Sequence, residues 1–396
     1  MLNMTQMKNK FILVLLQTFV IFFSCSSQTI NTITFDNENL LRLKDALKYD
    51  LKIQTSKNEL IKKCNGILNR SKTYSVTYNI SAYPFAKSND YTSRSRYWWP
   101  NPKTRDGLPY ILIDGKVNRY SEKVSDKPMI DGLANDVIHL GVAYFFTKDE
   151  SYVKWAAKLL DCFFVNNDTK MNPNFNFSQV VPGQDDSGGS IMESVVLINV
   201  IEGIQLMKSS PNFPQKLKTE LNRWFLQYLN WLNSDPVGKK NARYTNNRGT
   251  YYTLLRCAIA LYVDNVDLSR DIFKNEAFKR VDEQISKEGI MSKEISRTLP
   301  LGYVKYNLSG FLQLNEIGKK LGFDLLNYRG ANGQSLKNAL AWLNSFRDQS
   351  NVWKYSTERG ITTPRLLSMK GEDETKVKFT VERFDDCLET LTTINE

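Results

Sequence analysis

The sequence predicts an all-α fold, an (α/α) toroid with a long aromatic-rich loop segment towards its N-terminus, and three observations predict it. Apolar residues recur at intervals of three and four in segments near 131–147, 149–165, 190–208, 213–234, 249–263, 268–287, 307–321 and 334–347. Turn-forming residues separate these segments: Pro173-Asn174, Pro182-Gly183, Ser234-Asp235-Pro236, Gly289 and Gly322. No extended β-rich block interrupts the series. Helices paired antiparallel through such connectors over roughly 300 residues favour a toroid, with its loops converging at one end, over a compact bundle.

Taken in order, the chain opens with Lys8 and Lys10 ahead of a mainly apolar run from Phe11 to Phe23. That run is shorter than the ~20 residues needed to cross a bilayer and fits the apolar region of an export signal. It ends at Phe22-Phe23-Ser24-Cys25-Ser26-Ser27, which resembles a bacterial lipobox, with a small residue before the cysteine that receives lipid. Residues 1–24 are therefore expected to be a lipoprotein-type signal peptide, Cys25 a membrane anchor, 25–35 a linker and 36–396 a single domain. An ordinary secretory peptide with Cys25 incidental is the alternative. Either reading exports the chain, to the periplasm, the outer membrane or the cell surface.

Composition sets further bounds. With 41% hydrophobic and 24% charged residues over 396 positions, disorder and miniprotein classes are excluded. Five scattered cysteines and one histidine exclude a Cys/His zinc cluster of short-range ligands, and neither metal nor cofactor is expected. The formal charge is +11; cutting before Cys25 removes Lys8 and Lys10 and no acid, leaving +9. An exported basic protein points to an acidic polysaccharide as partner rather than nucleic acid, although scattered lysines also serve simply as a solvated surface.

Within the helical series, Phe213, Leu217, Leu221, Trp224, Phe225, Tyr228 and Leu232 form one stripe, as an amphipathic helix facing a core requires. Residues 74–120 differ. They lack periodicity and carry Tyr97-Trp98-Trp99-Pro100-Asn101-Pro102, then Asp106-Gly107-Leu108-Pro109-Tyr110. So many aromatics in an irregular stretch predict an ordered, functional loop.

The string YWWPNPKTRDGLPYILIDGKVN at Tyr97–Asn118 resembles the N-terminal part of the alginate-lyase-like polysaccharide lyases. Further landmarks follow in the same order: Tyr144-Phe145-Phe146-Thr147 with Tyr152 and Ala156-Ala157, then Met171-Asn172-Pro173-Asn174. Next come Asn246-Asn247-Arg248-Gly249-Thr250, similar to that family's Asn-Asn-His-Gly-Thr, and Glu294, Arg297-Thr298, Pro300-Leu301 and Tyr303. The resemblance spans roughly residues 74–325 and implies an (α/α) toroid that agrees with the helix series.

It also implies a chemistry. Such lyases break the bond at C4 of a uronic acid by β-elimination, which requires a neutralised carboxylate, a base at C5 and an acid at the departing oxygen. The resemblance assigns these tasks to Asn247, Arg248, Arg297 and Tyr303. The family's motif histidine is replaced by Arg248, and the chain's one histidine, His139, sits in a helical segment elsewhere. An arginine is no practical base, but it grips a carboxylate with two parallel hydrogen bonds. Proton transfer then falls to Tyr303, whose pKa Arg248 and Arg297 are expected to lower, and one tyrosine serving both steps predicts syn elimination.

Each residue also has a plainer role open to it. Asn246 and Asn247 suit a helix cap, Arg297 an ion pair with Glu294, and Tyr303 a loop anchor. Of Trp98 and Trp99, adjacent on an irregular segment, one is expected to stack on sugar and one to fill core. Tyr97, Asn246 and Tyr251 complete the expected substrate-binding set, although Tyr251, like Tyr306, is a weaker candidate better suited to packing. The expected function is cleavage of an alginate or glucuronan type of polymer. The rivals are a silent relative that binds such a polymer, and a glycoside hydrolase using carboxyls among Asp185, Asp186 and Glu193.

Overall fold

The computed structural model describes residues 31–79, 83–184, 186–347 and 354–355. The expected signal segment with Cys25, together with Asp185, lies outside them. Asp36 and Asp50 accept hydrogen bonds from the first turns of α1 (Asn37–Ala46) and α2 (Leu51–Arg70), each starting its helix as an N-cap. These two precede the eight periodic segments. Then come α3 (Lys127–Thr147), α4 (Glu150–Phe164), α5 (Leu197–Met207), α6 (Gln215–Ser234) and α7 (Asn247–Tyr262). Helix α8 (Val266–Ile272) runs through a π-helical stretch into α9 (Phe278–Gln284), followed by α10 (Pro300–Leu321) and α11 (Leu336–Arg347). Each predicted segment is found as helix.

The helices form two layers, the (α/α) toroid arrangement. Helices α3, α5, α7 and α10 contact one another in that order and are buried on most sides, while α2, α4, α6 and α8 pack outside them. The outer helices are amphipathic for that reason. On α6 the predicted stripe is the buried face, with Trp224 donating through Nε1 to the carbonyl of Met171 at 2.7 Å.

Two short sheets include strands of the aromatic segment. Strand β1 (Thr92–Arg94) pairs in parallel with β4 (Phe177–Val180), and β2 (Trp98–Trp99) pairs antiparallel with β3 (Ile111–Leu112). The expected linker at 25–35 ends sooner than predicted. Buried Glu202 accepts from the Ile33 amide at 3.0 Å and from the Thr34 hydroxyl at 2.7 Å, and the Lys320 ammonium donates to the carbonyls of Thr32, Ile33 and Phe35. Residues 32–35 are thus part of the packed unit, because a buried carboxylate is satisfied by their backbone.

Candidate active site

The segment leading into inner helix α10 meets the residues that flank the β2–β3 sheet, and the N-terminal end of α7 joins that segment through Glu294. Asn246 is the N-cap of α7, its Oδ1 accepting from the Arg248 amide at 3.2 Å, as the capping alternative required. Asn247 follows in the first turn. Its amide donates to Glu294 Oε1 at 2.6 Å, and its side-chain Nδ2 donates to both oxygens of that carboxylate at 3.0 and 2.8 Å. Glu294 is 1% exposed, in the short helix Ser292–Ile295. Burial pushes its carboxyl above the ordinary value, and the Asn247 donors oppose that shift.

Arg297 leaves that helix for a partner other than the expected Glu294, which is engaged by Asn247. Its Nε and Nη2 grip Asp114 at 3.0 and 2.6 Å, and Nη2 also donates to the Tyr303 hydroxyl at 2.7 Å. The guanidinium carbon lies 3.8 Å from the centre of the Tyr303 ring. Asp114 also accepts from the amide and hydroxyl of Thr298, and the guanidinium bonded to it holds its carboxyl below the usual range. Gly115 makes this possible. It adopts φ +75°, and a Cβ there would meet Thr298 Oγ1 at 2.4 Å.

Tyr303 stands in the first turn of α10, not in a loop, because Pro300 is the helix-starting N1 residue. Its hydroxyl reaches that of Tyr97 at 3.5 Å. The expected fall in its pKa does not occur. Burial pushes the phenol well up, the bond to Tyr97 adds to that, and the charge of Arg297 opposes both without prevailing. Arg248 takes a different phenol: its guanidinium stacks 4.5 Å from the centre of the Tyr244 ring. Burial opposes ionisation of Tyr244 too, but Arg243 and Arg248 beside it outweigh burial and hold that phenol below its ordinary value.

Trp98 and Trp99 are half-buried on β2, where alternation sends neighbouring side chains to opposite faces. Trp99 donates through Nε1 to the carbonyl of Lys116 at 3.0 Å, and the ammonium of Lys116 sits 4.7 Å from its ring. Tyr251 is a correction. It is 0% exposed, stacked on Tyr306 at 4.4 Å with its hydroxyl donating to the Tyr306 carbonyl, so it fills the α7–α10 interface and cannot meet substrate. His139 is core on α3, its pKa brought down to about 4 by burial. Of the acids considered for hydrolysis, Glu193 is buried and accepts from the Tyr91 and Ser93 hydroxyls, while Asp186 is exposed. Among the described residues, no three His, Cys, Asp or Glu side chains are grouped to hold a metal ion.

The network thus joins Asn247, Glu294, Arg297, Tyr303 and Tyr97, with Asp114 as a member that sequence reasoning missed; Tyr244, also missed, is the separate partner of Arg248. Asp114 stands in the matched Tyr97–Asn118 string, where only its position before a turn glycine marks it. Its partner is 183 residues away. Tyr244 is flanked by Arg243 two residues ahead of the asparagine pair, a proximity visible in the sequence.

Two layers of helices with a guanidinium–phenol pair at the N-terminal ends of the inner ones place the chain among the (α/α)-toroid polysaccharide lyases. The family model described as alginate lyase matches residues 79–353. A solved alginate lyase from Bacteroides ovatus is 30% identical, with a TM-score of 0.79 over 83% of this chain and 87% of that one. Alginate lyase A1-III from Sphingomonas species A1 shares the fold at 16% identity, with a TM-score of 0.52 over 88% of this chain and 84% of that one. A variant of A1-III complexed with a tetrasaccharide gives 16% identity and a TM-score of 0.54, over 87% and 82% of the two chains. Comparison with curated proteins found no match. The chain belongs to the alginate lyase family and is a polysaccharide lyase.

Proposed function

We propose that this lyase cleaves an anionic uronic-acid polymer, of the alginate or glucuronan kind, by β-elimination, with Tyr303 as the proton-transferring group. The observation that carries the reading is the Arg297–Tyr303 pair, 2.7 Å apart and fixed from behind by Asp114. Elimination removes the C5 proton, forms the C4–C5 double bond and expels the C4 oxygen, which takes a proton. Tyr303 in its phenolate form accepts the first proton and, as phenol, returns it to the leaving oxygen on the same face. Arg297 stabilises the phenolate while Arg248 and the N-terminal ends of α7 and α10 favour the substrate carboxylate as charge flows into it; Asn247, expected at that carboxylate, instead spends its donors on Glu294 and positions the start of α7. Trp98 and Trp99 on β2, with Tyr97 just ahead of it, line the approach.

Initial rates on uronate polymers, read from the ultraviolet absorbance of the unsaturated product, test this. Tyr303→Phe is expected to lower kcat by about a thousandfold with little change in KM. A Tyr303→Phe enzyme with full activity removes the tyrosine from the mechanism. No product from any uronate polymer would favour a protein that binds the polymer without cleaving it. We also propose, from the leader sequence, that the chain is exported and anchored through lipid at Cys25.

A further inference from the structure

Beside the catalytic network, Lys240, Arg243 and Arg248 gather around Tyr244. The guanidinium carbons of Arg248 and Arg243 lie 4.5 and 5.3 Å from the centre of its ring, and Lys240 feels the charge of both. Among the described residues, none of the three is within ion-pair distance of a carboxylate. Exposed Asp186 is the acid whose field reaches Lys240. The contrast with Arg297, gripped by Asp114, is chemical: one cation is already neutralised, and among the described residues no carboxylate pairs with these.

The backbone beneath them is held firmly. Buried Asn241 donates through Nδ2 to the carbonyls of Gly189 and Gly238, both at 2.9 Å. Arg280, 5% exposed, donates to the carbonyls of Ala242 at 2.9 Å and Tyr244 at 2.8 Å. Gly249 permits this, since a Cβ there would lie 1.9 Å from the Tyr244 carbonyl oxygen. Like charges held close on a fixed loop repel one another, and an arriving anion relieves that repulsion without first ordering the loop.

We propose that Lys240, Arg243 and Tyr244 form a second carboxylate subsite, which holds a uronate of the same polymer at a distance from the sugar that reacts at Tyr303. This rests on the uronate reading above. Arg243 offers a planar fork to two carboxylate oxygens, Lys240 a point charge, and Tyr244 a hydroxyl and a ring face. Arg248, stacked on the same ring at the start of α7, lies between this subsite and Asn247. A polymer with a carboxylate on every sugar engages both places at once, whereas a short oligomer engages only one, so the subsite sets a preference for chain length.

The test is isothermal titration of alginate dimer and hexamer into the Tyr303→Phe protein, alone and combined with Lys240→Ala, Arg243→Ala or both. For the hexamer, each single change is expected to weaken binding about threefold and the pair about tenfold, with the loss shrinking in high salt. Dimer affinity is expected to hold. A double variant that binds hexamer as tightly as its parent, or that loses dimer and hexamer alike, overturns the proposal. Arg243→Gln, at an exposed position, repeats the measurement without shortening the side chain to alanine. Failure of the lyase reading shows separately, as absence of unsaturated product from the wild-type protein, and leaves the hexamer titration able to decide.

Discussion

Asp114→Asn separates the two things that Asp114 does. The carboxylate positions Arg297 and also places a negative charge near the Tyr303 phenol, which raises the cost of ionising it. The carboxylate and phenol oxygens both bond Arg297 Nη2, which sets them about 5 Å apart. At an effective dielectric near 20, Coulomb's law gives about 3 kcal/mol at that distance, and partial exposure of the site reduces it to about 1.4 kcal/mol, or about one pH unit. Asparagine keeps the shape and removes the charge. The alkaline rise of kcat/KM, which reports the free enzyme's phenol, is therefore expected to move down by about one pH unit. The plateau is expected to fall two- to tenfold as Arg297 loses one strong bond. Because the phenol is pushed above its ordinary value, initial rates are followed from pH 8 upward to the limit at which the protein stays folded, with Thr298→Val as a control that removes a contact to Asp114 and leaves the charge. A profile that stays in place or moves upward in a folded Asp114→Asn protein refutes the electrostatic account of Tyr303.

Three other outcomes follow from the geometry. Glu294→Gln turns an amide donor towards the donors of Asn247 and is expected to cost about 2 kcal/mol in urea unfolding, with activity falling as the start of α7 shifts. Tyr251→Phe removes only the bond to the Tyr306 carbonyl, so stability should fall by about 1 kcal/mol while KM holds; a raised KM would return Tyr251 to the binding surface. His139 has a folded-state pKa depressed to about 4 from 6.5, so its contribution to stability is full above pH 6.5 and is lost as pH falls towards 4. Between pH 8 and pH 5 that loss is about 2 kcal/mol, and His139→Gln should remove this part of the pH dependence of unfolding, the chain having one histidine.

The helical series was legible because its apolar faces are regular, and the inner helices, apolar on most sides, still showed their turns at Pro and Gly. Helices α1 and α2 escaped because their apolar residues, Leu40, Leu43, Ile53, Leu60 and Ile67, are spaced among many lysines and asparagines. The start of α10 was misplaced by seven residues because Pro300 and Gly302 read as loop, whereas proline at the first helical position begins a helix. That error put Tyr303 in the wrong local structure yet left it beside Arg297, since six residues across a helix start still bring the two side chains together. The position of Asn247 was legible and its partner was not. Glu294 had been offered to Arg297 on sequence proximity, and only the fold shows that a buried carboxylate satisfies the Asn247 donors while Asp114 takes the guanidinium.

That exchange of partners bears on Arg248, which stands where the sequence resemblance implied a histidine. Arg297 and Asp114 cancel in charge, so the pair contributes direction to Tyr303 but little attraction for an anion. Glu294, accepting from Asn247 through both oxygens, adds negative charge beside the very amide expected to meet the substrate carboxylate. A neutral imidazole at position 248 would leave Arg297, Asp114 and Glu294 with an excess of one negative charge, against the proposed polymer, which is negative at every sugar. Arg248 restores the balance, and with Arg243 and Lys240 alongside it turns the balance positive. The same substitution removes the imidazole that could take a proton. Under the proposed mechanism, the gain in attraction for a polyanion and the dependence on a phenol for proton transfer are two consequences of one residue.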